Sequence, residues 1–123
     1  MAVRVLALTL VSGLAVIPAF AQESGQTAFN NSCRTCHTME EGDHRQGPSL
    51  AGVVGRKAGS LPGYNYSDSM KQSGVVWDEA NLDQFIANPD QVVSGNTMKP
   101  YGGITDAALR KTIVEFLKAD GSM

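Results

Sequence analysis

Cys33-Arg34-Thr35-Cys36-His37 is the stretch on which the reading of this chain turns. Positions i, i+3 and i+4 share one face of a helical turn, so Cys33, Cys36 and His37 are expected to point the same way. Cys-x-x-Cys-His is the attachment sequence of c-type haem. Its spacing lets two sulfurs reach the two vinyl groups on one edge of a porphyrin, while the histidine reaches the iron from the same side as proximal ligand. The chain has two cysteines, and this run uses both. Other uses of a Cys-x-x-Cys pair fit less well. A structural zinc site needs about four ligands, and His44 is the one other histidine. A thioredoxin-like redox pair belongs between a strand and a helix of a βαβ unit, and no such pattern is present.

The first residues speak to the compartment. Arg4 supplies a positive start, and residues 5–17 are almost wholly apolar. That run is too short for a membrane-spanning helix, which takes about 20 residues. Ala19-Phe20-Ala21 then supplies a small-x-small cleavage pattern. Residues 1–21 are therefore expected to be a secretory signal peptide removed after Ala21, with export to the periplasm and no membrane insertion of the mature chain. Export suits the motif, because the two thiols are then consumed as thioethers.

Residues 22–123 are enough for one small domain. A domain of that size buries a modest share of its surface and gains from a covalent staple with a large apolar face, which a tethered haem provides. The whole sequence carries a net charge of −2, and losing Arg4 makes it one unit more acidic. There is thus no basic stripe for nucleic acid. The pattern along residues 22–123 is of short helices between glycine- and proline-rich loops. A first helix runs from Ser24 or Gln26 to Arg34 and delivers the Cys-x-x-Cys-His turn. Residues 38–63 lack lasting periodicity and read as a loop, a length that is reasonable where it wraps a cofactor. A short helix over 67–72 closes at Gly74. Another starts at Asp78, shows Leu82, Phe85 and Ile86 on one face, and stops at Pro89. The clearest spans 105–118, with Thr105 as its N-cap and Leu109, Ile113, Phe116 and Leu117 as its apolar face. No segment alternates with a period of two, so the class is all-α.

These residues together resemble the class I c-type cytochromes, of the bacterial kind close to mitochondrial cytochrome c. The resemblance runs from Gly25 to about Lys118. It rests on Gly25-x-x-x-Phe29, the haem run, Gly47-Pro48-x-Leu50 and Gly55-Arg56-Lys57-x-Gly59. It continues through Pro62-Gly63-Tyr64-x-Tyr66-Ser67-Asp68, Gly74-x-x-Trp77, Asn88-Pro89 and Gly95-x-x-Met98 to the closing helix. It implies the cytochrome c fold, with one haem c held through Cys33 and Cys36 and His37 as the proximal ligand. Met98 is implied as the sixth ligand, a neutral, soft thioether that favours ferrous iron. Its loop setting between Gly95 and Pro100 agrees, since ordinary core methionines sit on apolar stripes. Met39 lies too close to His37 to reach the other face of a porphyrin, whereas Met70 is a rival. The resemblance also implies that Arg56, Tyr66 and Trp77 hold the haem propionates, that His44 pins the proximal loop, and that the Pro48 carbonyl accepts the N–H of His37. Gly25 and Phe29 are expected to pack against Ile113 and Phe116.

Three departures from the family pattern stand out. Phe85 replaces a tyrosine that commonly donates to the methionine sulfur, which should lower the potential. Met70 replaces a buried asparagine, which makes the pocket more apolar and should raise it. Lys99-Pro100-Tyr101 adds a residue before Ile104, so the strap carrying Met98 is rearranged. With both axial positions filled, the expected activity is one-electron carriage and not catalysis. The expected partners are redox proteins: a reductase or dehydrogenase as donor, and an oxidase or reaction centre as acceptor. A monomer is expected. A haem peroxidase or ligand sensor with an open sixth site, and a haem-free thiol–disulfide oxidoreductase, are the competing classes.

Overall fold

A computed structural model describes residues 23–122, together with 2, 10 and 12–16. The expected signal segment and its cleavage site thus lie largely outside the described residues. Among the described residues five helices follow in chain order: α1 (Gly25–Ser32), α2 (Asp68–Gln72), α3 (Glu79–Ala87), α4 (Pro89–Val92) and α5 (Ala107–Lys118). Among the described residues the only β pairing is a single antiparallel bridge between Lys57 and Val76.

Four of the five helices start where a side-chain oxygen takes a free backbone N–H, α4 being the exception. Ser24 caps α1, Ser67 caps α2, and Asp78 with Asn81 forms a reciprocal capping box on α3. On α5 the cap is Asp106, which accepts from Ala108 and Leu109, and not Thr105 as expected from sequence. A carboxylate one position later suits the positive helix end better than a hydroxyl does. Pro89 does more than stop α3. It opens the one-turn α4, where its missing N–H costs nothing.

The core forms where α1 crosses α5. The rings of Phe29 and Phe116 lie 5.2 Å apart, and Ile113 is fully buried. A Cβ on Gly25 would stand 2.9 Å from that of Phe116, so the helices approach through the missing side chain. Arg110 then ties α5 to α3 through Asp83 at 2.8 Å, and to the incoming chain through the Ile104 carbonyl at 3.0 Å.

The long loop over 38–63 is fastened by local bonds. Ser49 Oγ donates to the Glu40 carbonyl at 2.6 Å, and the Leu50 N–H donates to Thr38 at 2.8 Å. His44 bridges the Pro62 carbonyl and the Ser49 N–H, a structural role.

Candidate functional site

The chain continues one helical turn past α1, with the Cys36 and His37 N–H groups both donating to the Cys33 carbonyl at 3.1 and 3.0 Å. This turn brings Cys33, Cys36 and His37 to one cavity. His37 is buried, and its Nδ1 lies 2.7 Å from the Pro48 carbonyl. A carbonyl only accepts, so Nδ1 carries the proton. Burial also holds His37 below its ordinary pKa, against the opposing pull of the Pro48 bond. The ring is therefore neutral, and its Nε2 keeps a bare lone pair suited to a metal.

Gly47 makes this placement possible. A Cβ there would stand 2.6 Å from Nδ1 and 2.7 Å from Nε2 of His37. The loop backbone thus lies directly against the imidazole.

The cavity measures about 410 Å³. It opens between the 33–37 turn, the 46–50 loop, α3 and the 97–101 strap, over a mostly apolar floor that includes Leu82, Phe85 and Ile113. Met98 and Met70 both line it, as do Tyr66 and Trp77. Trp77 is buried, packs its ring on Phe85 at 4.9 Å, and exchanges backbone bonds with Gly55 and Arg56.

Arg56 is not among the lining residues. Its guanidinium donates to the Ala51 and Ser49 carbonyls at 2.8 and 3.0 Å. Burial lowers its pKa, partly offset by neighbouring Tyr66, and no carboxylate supports it among the described residues.

Burial pushes the Cys33 thiol up to about 11, with Cys36 adding to the effect. Thiol–disulfide oxidoreductases depend on an attacking thiol of lowered pKa, and Cys33 is shifted the opposite way. The donor set fits a haem instead. Two thiols and a bare imidazole nitrogen share an apolar cavity, and the half-buried Arg56 cation, near enough to act on His37 and Tyr66, has no carboxylate beside it among the described residues.

Comparison with known proteins agrees with this geometry. The family model described as Cytochrome c matches residues 22–119. The chain belongs to the cytochrome c family. Cytochrome c2 iso-2 of Magnetospirillum molischianum is 43% identical over 86 residues, spanning 70% of this chain and 88% of that one. The cytochrome c of Gibberella zeae is 37% identical over 97 residues, or 78% and 91% of the two chains. Among solved structures, cytochrome cH from Methylobacterium extorquens superposes with a TM-score of 0.71 at 42% identity, covering 77% of this chain and 94% of that one. As a family member the chain carries one covalently bound haem c, with Cys33 and Cys36 positioned as the attachment motif, and serves redox partners as an electron carrier and not an enzyme.

Sequence reasoning did not reach several contacts of this site. Gln46 Oε1 takes the Cys36 thiol at 3.2 Å, and the Tyr64 hydroxyl donates to the Gln46 carbonyl at 2.6 Å. Tyr101 lines the cavity and bonds the Ile86 carbonyl at 2.6 Å. These bonds depend on how loops close, and no periodicity or motif marks them.

Proposed function

We propose that the protein is a periplasmic monohaem electron carrier in which His37 and Met98 are the two axial ligands. The observation that carries this reading is the His37–Pro48 bond, which leaves Nε2 bare in the cavity that Met98 also lines. Bound there, the haem supplies a one-electron couple between ferric and ferrous iron. Cys33 and Cys36 tether its edge, His37 offers Nε2, and Met98 offers its sulfur. The apolar floor excludes water, so little solvent reorganises when charge changes. Tyr66 and Trp77 would donate to the propionates, and the Arg56 guanidinium would offset their charge. Residues 1–21 act as the export signal, and residues 22–123 are the mature domain. The positively charged start, short apolar run and Ala19-Phe20-Ala21 pattern support that assignment.

Met70 gives a second reading of the sixth ligand, because it lines the same cavity. It sits on α2, where its backbone N–H is held by Ser67, whereas Met98 sits on an irregular strap that can bring its sulfur to the iron. Visible spectra of protein purified from the periplasm decide between them. Met98→Ala is expected to abolish the weak far-red ferric band of methionine ligation, and Met70→Ala to keep it. Survival of the band in Met98→Ala would overturn the assignment. Mass measurement of the same sample should place the first mature residue at Gln22.

The cavity mouth also bears on partner choice. Ser32, Thr35, Gln46 and Thr97 are uncharged, and of the scattered lysines Lys57, Lys71 and Lys99 two sit beside carboxylates: Lys71 pairs with Asp68 at 3.3 Å and Lys99 with Asp90 at 3.1 Å. Docking should therefore rely on apolar contact more than on salt-sensitive attraction. Electron exchange with an anionic hexacyanoferrate should not slow as salt rises from about 0.01 to 0.15 M, since these mouth residues are uncharged and the net charge of the sequence is negative. A rate that falls steeply with added salt would refute this.

A further inference from the structure

The strap carrying Met98 is closed by one buried amide. Asn96 is buried, and every bond of its side chain is made within residues 90–98. Its Oδ1 accepts the Met98 N–H at 3.0 Å. Its Nδ2 donates to the Val93 carbonyl at 2.9 Å and to Asp90 Oδ1 at 2.8 Å. Only this orientation of the amide satisfies all three partners, since a carbonyl and a carboxylate cannot donate. Asp90 in turn receives Lys99 Nζ at 3.1 Å on each oxygen. The residue before Met98 is thereby bracketed by Asn96, and the residue after it is tied back to the same carboxylate.

We infer that Asn96 is a positioning residue for Met98, and that Asp90 is the acceptor that orients its amide. The inference rests on the reading of Met98 as axial ligand. A thioether is a weak, neutral ligand, so its hold on iron depends on how narrowly the backbone confines it. Asn96 fixes the Met98 amide itself, one residue's reach from the sulfur. The Asp90–Lys99 pair is more than half exposed and contributes little energy alone. Its use lies in aiming the carboxylate at the buried Nδ2.

Competition at the iron measures this confinement directly. Imidazole is added to the ferric holoprotein, and displacement of the methionine is followed through loss of the far-red band. Asn96→Ala is expected to bind imidazole about tenfold more tightly than the parent, the factor that one lost bond with an orphaned partner implies. Asp90→Ala, at an exposed position that tolerates truncation, should tighten binding several-fold, and Asp90→Asn should restore it, because an amide oxygen still accepts from Asn96. Phe29→Leu, which loosens the α1–α5 crossing at a ring that does not line the cavity, serves as the stability control and should leave imidazole affinity unchanged. Affinities for Asn96→Ala and Asp90→Ala within twofold of the parent would overturn the inference, as would an equal gain in Phe29→Leu. Met98→Ala separates the two failures. If the band survives that change, the ligand reading falls and the inference with it. If the band is lost but the Asn96 and Asp90 variants bind imidazole normally, the positioning role alone is wrong.

Discussion

Replacing Gly47 with alanine is expected to cut the yield of holoprotein several-fold and to destabilise what forms by about 3 kcal/mol or more, the upper end for overpacking. The added methyl would overlap the His37 ring, standing 2.6 Å from Nδ1 and nearer still to Cε1. The loop cannot retreat to make room. The Gly47 N–H is spent on the Cys36 carbonyl at 2.8 Å, and its own carbonyl receives the Arg45 N–H at 2.9 Å. The imidazole must then turn, which breaks the bond to Pro48 and leaves a buried donor without a partner. Haem content per mole of protein and thermal unfolding of the purified holoprotein measure both effects. Pro48→Ala is the matched control, because the accepting carbonyl belongs to the backbone and survives. It should cost no more than about 1 kcal/mol, through added freedom of the unfolded chain. A Gly47→Ala protein with normal haem content and an unfolding midpoint like the parent's would show that the loop does not hold the ring.

How much of this could be read in advance follows from where the information resides. Helices α1, α2 and α3 announce themselves because Ser24, Ser67 and Asp78 are side chains that cap, and α3 repeats its apolar residues with helical period. The haem turn is legible because its chemistry is a fixed spacing. Helix α4 escapes, since one turn has no period and Pro89 reads equally well as a stop. The cap of α5 shifts by one because Thr105 and Asp106 are both capping residues, and only the closed chain chooses between them. In the site, Cys33, Cys36 and His37 are local in sequence, while Met98, far along the chain, is legible through the family resemblance and its loop setting and not through spacing, and both it and His37 line one cavity. Arg56 is instructive in another way. Its residue type suggests contact with an anion, while the bonds that two of its N–H groups make to loop carbonyls carry no mark in the sequence. The Asn96 clasp and the Gly47 contact belong to loop closure, where the decisive quantity is the backbone path, and composition does not encode that path visibly.

Gly103→Ala should be the most damaging change in the Met98 strap, with a stability loss of about 3 kcal/mol or more. Gly103 adopts φ +90°, where a side chain alone costs on the order of 1–2 kcal/mol. The methyl would also collide with the Ala87 carbonyl oxygen and lie 3.0 Å from its carbon. Both are backbone atoms at the end of α3, so no rotamer change relieves the contact. The strap would have to lift from the helix end. Two bonds on the Ile86 carbonyl hold it there: the Ile104 N–H at 3.0 Å and the Tyr101 hydroxyl at 2.6 Å. They satisfy a carbonyl that the end of α3 leaves free. Burial pushes Tyr101 up to about 12, so it remains a donor through the neutral range. Because the same strap carries Met98, lifting it should loosen the ligand before the domain unfolds. The expected signature is a wider gap between the temperature at which the far-red ferric band is lost and the main transition than the parent shows. Gly102→Ala, next door, meets nothing within 4 Å and should shift stability by no more than about 0.5 kcal/mol. Tyr101→Phe should fall between them at about 1 kcal/mol, since the Ile86 carbonyl keeps the Ile104 N–H. If Gly103→Ala lowers stability while that gap stays as in the parent, the anchor serves the fold alone. Confinement of Met98 would then have to come from the Asn96 side of the strap.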